Sequence, residues 1–239
     1  MESLFTLILA HPLAKYVVVL VVYVSFVRHQ RYRRIKALLH KYPDPEIPLR
    51  DLDVATEVLS AVRDYEFPFT YGNGLEISLL STYGIPSISA ILAATGQFKC
   101  GYLKRSVDGT LLLQELNEGY SRNQLRTALD KGRKPDKNEI ENDRLRAAIA
   151  MERINFFHRQ YNIKQSDYLY TLALFAVGPF LWIDRFEWRK STDLEKNASL
   201  ALWAAQGEKM GIQNIPKTFE DFVALVEVMI PHPLLPKFC

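Results

Sequence analysis

Apolar residues recur along this chain at spacings of three and four, with no sustained alternation, so the pattern predicts helices and an all-α fold. The first apolar run, Leu4 to Val27, has about the 20 residues that a membrane span needs. Its dense part, Tyr16 to Val27, is rich in β-branched residues, which form helices poorly in water but are held helical in lipid. Beyond the proline-rich linker Tyr42–Pro48, Val54, Val58, Leu59 and Val62 mark a helix from Asp53 to about Tyr65. Phe67 to Gly74 reads as a turn, and Leu75 to Thr95 as helix interrupted at Gly84-Ile85-Pro86.

Tyr102 to Leu116 places a basic pair before an apolar run, and Lys131 to Asn138 is polar enough for an exposed loop. Glu139 to Tyr161 is a helix, and Ser166 and Asp167 offer caps to the next one, Tyr168 to Phe186. The apolar stretch of that helix, broken by Gly178 and Pro179, is short for a span and reads as a buried core helix. Thr192 to Gln206 is amphipathic, with Leu194, Ala198, Leu202 and Ala205 on one stripe, and Phe219 to Ile230 closes the fold.

Charge orients the first run. Arg28, Arg31, Arg33, Arg34 and Lys36 follow it directly, and basic flanks stay cytoplasmic and attract anionic head groups. A cleaved leader is the other reading, but it wants its basic residues before the apolar run. The organisation expected is a single N-terminal transmembrane helix over residues 1–27. A basic juxtamembrane segment and linker follow over 28–48, and one helical domain facing the cytosol over 49–239. At 239 residues, 48% hydrophobic and 24% charged, the body can bury a real core. A net charge of +3 gives no case for nucleic acid, and two cysteines, Cys100 and Cys239, make neither a disulfide framework nor a Cys-x-x-Cys pair.

Nucleotide-binding glycine loops, a Gly-x-Ser-x-Gly elbow and a His-Glu-x-x-His pair do not occur in the sequence. Of five histidines, His11 lies in the apolar run, His29 and His40 in the basic flank, and only His158 and His232 in the body. A site needing two or three imidazoles is hard to assemble from these, whereas haem needs one proximal histidine. Ala147, Met151, Ile154, His158 and Tyr161 lie on one helix face. Two readings are open for His158: a core imidazole satisfied by a backbone carbonyl, or a nitrogen ligand in an apolar setting.

Several blocks together resemble one family. They are Tyr83-Gly84-Ile85-Pro86-Ser87-Ile88 through Ala94-Thr95-Gly96-Gln97-Phe98, then Lys104-Arg105 with Asp108 and Thr110. Arg153-Ile154-Asn155-Phe156-Phe157-His158-Arg159-Gln160-Tyr161 and Asp167-Tyr168-Leu169-Tyr170-Thr171-Leu172 follow. Phe175, Pro179, Trp182, Glu187-Trp188-Arg189, Trp203, Gly207 to Met210 and Ile215-Pro216 complete the set. Their order is similar to that in the fungal ER-bound oxygenases of the mpaB type, named for the mycophenolic acid pathway and distantly related to latex-clearing rubber oxygenases.

That resemblance implies an all-helical, haem-binding-type domain at the ER membrane. It implies haem b, with its iron held by a helix histidine that carries over to His158. The activity implied is cleavage by dioxygen of a carbon–carbon double bond in the isoprenoid chain of a lipophilic, prenylated secondary-metabolite intermediate. Arg105 and Thr110 stand for an arginine and a threonine near the haem, although the pair is four apart in the rubber oxygenases and five apart here. Lys104 stands for a distal lysine with a shift of register, and Arg105 or Arg153 for a propionate partner; no counterpart of the catalytic glutamate is assigned. Family members continue past the Ile-Pro block, so the catalytic domain is expected to be C-terminally short, ending at Pro231–Cys239. A non-catalytic membrane scaffold or lipid-binding helical module, and an electron-transferring haem protein, are the competing readings.

Overall fold

The computed structural model describes residues 12–96 and 101–229, and every described element is helical. It divides into two compact units, Met1–Pro43 and Asp44–Cys239. The first is a single helix, α1 (Pro12–Lys41), which runs without a break from the apolar residues through the basic ones. Tyr16 to Val24 and Phe26 are exposed along it. The part of the predicted anchor from Leu4 to His11 lies outside the described residues, as do Gln97–Cys100 and the stretch Ile230–Cys239 with His232.

The second unit opens with α2 (Ile47–Arg50) and α3 (Leu52–Ala61). Asp51 caps α3, its carboxylate accepting from the amides of Asp53 at 2.9 Å and Val54 at 3.3 Å. α3 runs into a π-helical turn, Val62–Glu66, and α4 (Pro68–Thr82) follows at once. The turn expected at Phe67–Gly74 is therefore the first half of a helix. Pro68 sits in its first turn, where the missing amide costs nothing and the ring presets φ. Its glycines serve packing instead: a Cβ at Gly74 would fall 2.7 Å from Pro179 Cα. The break at Tyr83–Ile85 is as expected, and α5 (Pro86–Ala94) leaves it at 88° to α4.

α6 (Tyr102–Asn117) and α7 (Gly119–Leu129) come next. The second of these was not legible as an element. It has few apolar residues and is held by charge: Arg122 and Arg126 both reach Asp143, at 2.8 and 2.7 Å. Lys131 and Gly132 turn the chain with positive φ. α8 (Lys137–His158) then starts two residues before the expected loop ends, because Asp136 and Glu139 form a reciprocal capping box.

α9 (Gln165–Phe186) is the central helix, packed against α4, α10 (Asp193–Lys209) and α11 (Phe219–Met229). It is the one helix among the described residues long and apolar enough to cross a membrane, and 61% of its apolar window is buried inside the fold. Leu174, Val177, Phe180 and Ile183 are wholly enclosed, so it is a core helix as expected, by its burial and not by the shortness that the sequence suggested; the described part of α1, the expected anchor, does not meet the same measure. Ser166 and Asp167 do not cap it: Lys164 is the cap residue, without a side-chain bond, and Asp167 turns toward α5. Thr192 and Glu195 form a second capping box on α10. Glu195 is fully buried and also receives Arg189 through two bonds of 2.9 and 2.6 Å, with Glu66 at 3.3 Å from the same guanidinium.

Candidate functional site

The end of α8, the start of α9 and the start of α6 form the surroundings of His158. His158 is the last residue of α8, and its ring meets Tyr168, in the first turn of α9, edge-on at 5.6 Å. Its Nδ1 is buried and has no hydrogen-bond partner. The carbonyl-satisfied reading of His158 therefore does not hold for this nitrogen. Burial, and after it the charge of Arg105, lowers the imidazole pKa below its ordinary 6.5, so the ring is neutral at pH 7. A half-buried, neutral imidazole with one enclosed, unbonded nitrogen can accept a proton or act as a ligand.

Arg105 belongs to this neighbourhood and is half-buried on α6. Thr110 does not follow it. Five residues along a helix is a turn of about 140°, which carries Thr110 away from Arg105, and Thr110 is exposed. Lys104 is also exposed and pairs with Asp108 at 2.7 Å along its own helix. Arg153 lies five residues before His158, again about 140° round the helix. Its guanidinium covers the rings of Phe157 at 4.3 Å and Phe156 at 5.3 Å. Of the five residues singled out, the structure thus brings together His158 and Arg105.

Sequence reasoning missed two buried polar groups in the first turns of α9. Asp167, 3% exposed, accepts from Ser87 Oγ at 2.9 Å, which ties the start of α9 to α5, while its second oxygen is buried without a partner. Tyr170, one turn further, is fully buried with its hydroxyl unbonded, and burial pushes its pKa up to about 12. The signal for Asp167 was present but pointed to a helix cap, the commoner use of aspartate at that position. Among the described residues no three His, Cys, Asp or Glu side chains are grouped so as to hold a metal ion.

These features define an all-helical protein that presents one desolvated, neutral helix histidine beside an arginine. Comparison with known proteins finds relatives for it. The chain is 33% identical over 204 residues to the ER-bound oxygenase mpaB of Penicillium roqueforti (strain FM164), a match covering 82% of this chain and 61% of that one. It is 32% identical to ER-bound oxygenase mpaB' and 33% identical to ER-bound oxygenase mpaB of Penicillium brevicompactum over the same length, covering 43% and 47% of those proteins. The chain is a homologue of the mpaB-type ER-bound oxygenases, as its sequence blocks implied. It spans 43% to 61% of the length of these curated relatives. A match covering 82% of the chain includes Arg105 and His158 wherever it begins. No family model and no solved structure matches the chain.

Proposed function

We propose that this protein is an ER-membrane oxygenase that uses haem b and dioxygen to cleave a carbon–carbon double bond in a lipophilic, prenylated small molecule. The observation that carries the proposal is His158: a buried ring nitrogen without a partner, on an imidazole kept neutral, in a chain homologous to ER-bound oxygenases. Haem asks for that donor and no second protein ligand, which fits the single body histidine found among the described residues. Arg105 is the residue suited to a haem propionate, since a guanidinium fork matches a carboxylate.

When bound, haem would supply the activation of dioxygen. The chain's own residues do the rest. His158 offers its nitrogen to the iron without first losing a proton, because burial and Arg105 have already removed the charged form. Tyr168, edge-on to the ring, fixes the plane in which the imidazole is presented. The overall conversion balances simply: one C=C bond and one dioxygen become two carbonyl groups, with both oxygen atoms retained in the products. Reading α1 as a single-pass anchor with the body in the cytosol gives such a substrate its route. A prenylated molecule partitions into the bilayer, and a tethered enzyme meets it there at high effective concentration.

The test is an absorption spectrum of the detergent-purified chain, ferric and then dithionite-reduced, with and without carbon monoxide. A Soret band that shifts on reduction and again with carbon monoxide is expected, and it is expected to be lost in His158→Ala. A folded wild-type chain that stays colourless when supplied with haem would overturn the oxygenase reading. The scaffold reading would then stand in its place.

A further inference from the structure

One face of α1 joins two chemically unlike halves. Val18, Val21 and Val22 lie on it, exposed at 46%, 57% and 63%, and Ser25, Arg28, His29, Tyr32 and Lys36 continue the same line. The spacings of three and four keep all eight on one side of the helix. The five polar residues border an open, shallow hollow on the helix surface. Within it the Arg28 guanidinium stands over the Tyr32 ring, 5.3 Å from its centre. That contact holds a long cation against the helix rather than leaving it extended in solvent.

The dimensions match one lipid molecule. From Tyr16 to Val27 the helix rises about 18 Å, close to the roughly 15 Å of one hydrocarbon leaflet. From Arg28 to Lys36 it rises about 12 Å, a distance two flexible cationic side chains can close around a single anion. Imidazole and phenol groups lie between the two cations and a serine lies one turn before them, which suits a phosphate diester carrying a polar head group. A free anion would use the basic half and gain nothing from the exposed valines in line with it.

We infer that this face of α1 is a seat for one anionic glycerophospholipid, its phosphate between Arg28 and Lys36 and its acyl chains along Val18, Val21 and Val22. The inference rests on the reading of α1 as the membrane anchor. It differs from general attraction to a charged surface because it is confined to one face. Arg31 and Arg34 are equally close in sequence but stand about 110° and 170° round the helix from the seat.

The test compares the full wild-type chain with R28Q/K36Q and with R31Q/R34Q, which remove the same charge from different faces. Each is reconstituted in phosphatidylcholine vesicles with a minor fraction of phosphatidylinositol and extracted gently in detergent. The phosphatidylinositol retained per protein is then measured against its bulk fraction. The wild type and R31Q/R34Q are expected to retain it in excess. R28Q/K36Q is expected to lose that excess. Equal losses in the two double variants, or no excess in the wild type, overturn the seat. Release of the lipid by inorganic phosphate assigns the site to free anions and overturns it as well. Failure of the anchor reading is seen separately, as a wild-type chain that does not float with vesicles of phosphatidylcholine alone.

Discussion

Replacing Gly178 by alanine perturbs the helix pair that sets the position of α9, and with it Tyr168 against His158. A Cβ at Gly178 would lie 2.0 Å from Ser78 Oγ and 3.3 Å from Ser78 Cβ. Ser78 is 1% exposed and donates to the Gly74 carbonyl at 2.7 Å. The clash is with a hydroxyl, so it is relieved by swinging Ser78 off its bond, at the cost of crowding and an unsatisfied buried hydroxyl. Overpacking costs about 1–3 kcal/mol and the stranded hydroxyl about 1–2 kcal/mol, while alanine returns about 1 kcal/mol of helix propensity. Gly178→Ala alone should therefore destabilise by about 1–4 kcal/mol.

Ser78→Ala alone should cost about 1 kcal/mol for its hydrogen bond. The double variant keeps only the 3.3 Å Cβ contact, which the helices absorb by moving a few tenths of an ångström. It should be more stable than Gly178→Ala, with a coupling of about 1–2 kcal/mol between the two sites. Urea melts of the detergent-purified chain, followed by fluorescence of Trp182, Trp188 and Trp203, measure all four corners of the cycle. Additivity to within about 0.5 kcal/mol would refute the reasoning. Gly74→Ala is the control, because its Cβ would meet the Pro179 backbone at 2.7 Å, and truncating Ser78 cannot relieve that.

The pH dependence of stability carries a signature of His158. Its pKa is lowered on folding, so below about 6.5 the unfolded chain binds a proton that the native ring refuses. Stability is therefore retained above the unfolded pKa and falls as pH drops from there toward the folded value. His158→Phe should flatten that slope in apo-protein melts, and an unchanged slope would assign it to other groups. Glu195→Gln keeps the shape of the capping box but removes the charge that two bonds from buried Arg189 meet. Leaving that guanidinium to Glu66 alone should cost about 3–5 kcal/mol, and a loss under about 1 kcal/mol would show that Glu66 suffices.

The class of fold was legible because periodicity is a property of single helices. The apolar line of α9 and the amphipathic stripe of Thr192–Gln206 each name an element without help from the rest of the chain. What escaped depended on partners. Pro68 and the glycines of α4 look like a turn in isolation and become helix because Gly74 and Gly178 let α4 and α9 touch. α7 is written in arginines whose value appears only when Asp143, on another helix, lies between them. α8 carries two apolar lines: Met151 and Ala150 are buried, while Leu145, Ile149 and Phe156 are exposed at 55%, 61% and 52%. Sequence alone cannot rank two such lines on one helix.

The candidate site shows the same division between what one helix encodes and what several create. His158 was legible as an imidazole on an apolar face, with a carbonyl bond or a ligand as its two fates. The choice depends on the start of α9 and on α6, which bury Nδ1 against Tyr168 and set Arg105 beside it without giving that nitrogen a donor or acceptor. An unsatisfied buried polar atom costs a fold about 1–3 kcal/mol, a large share of the stability of a typical domain. A ligand bound at that nitrogen recovers the cost as part of its affinity, so holoprotein should be more stable than apoprotein by the amount that ligand concentration and affinity set. Equal melting of the chain with and without haem, at haem concentrations well above the protein's, would show that Nδ1 is not where the stabilisation is gained.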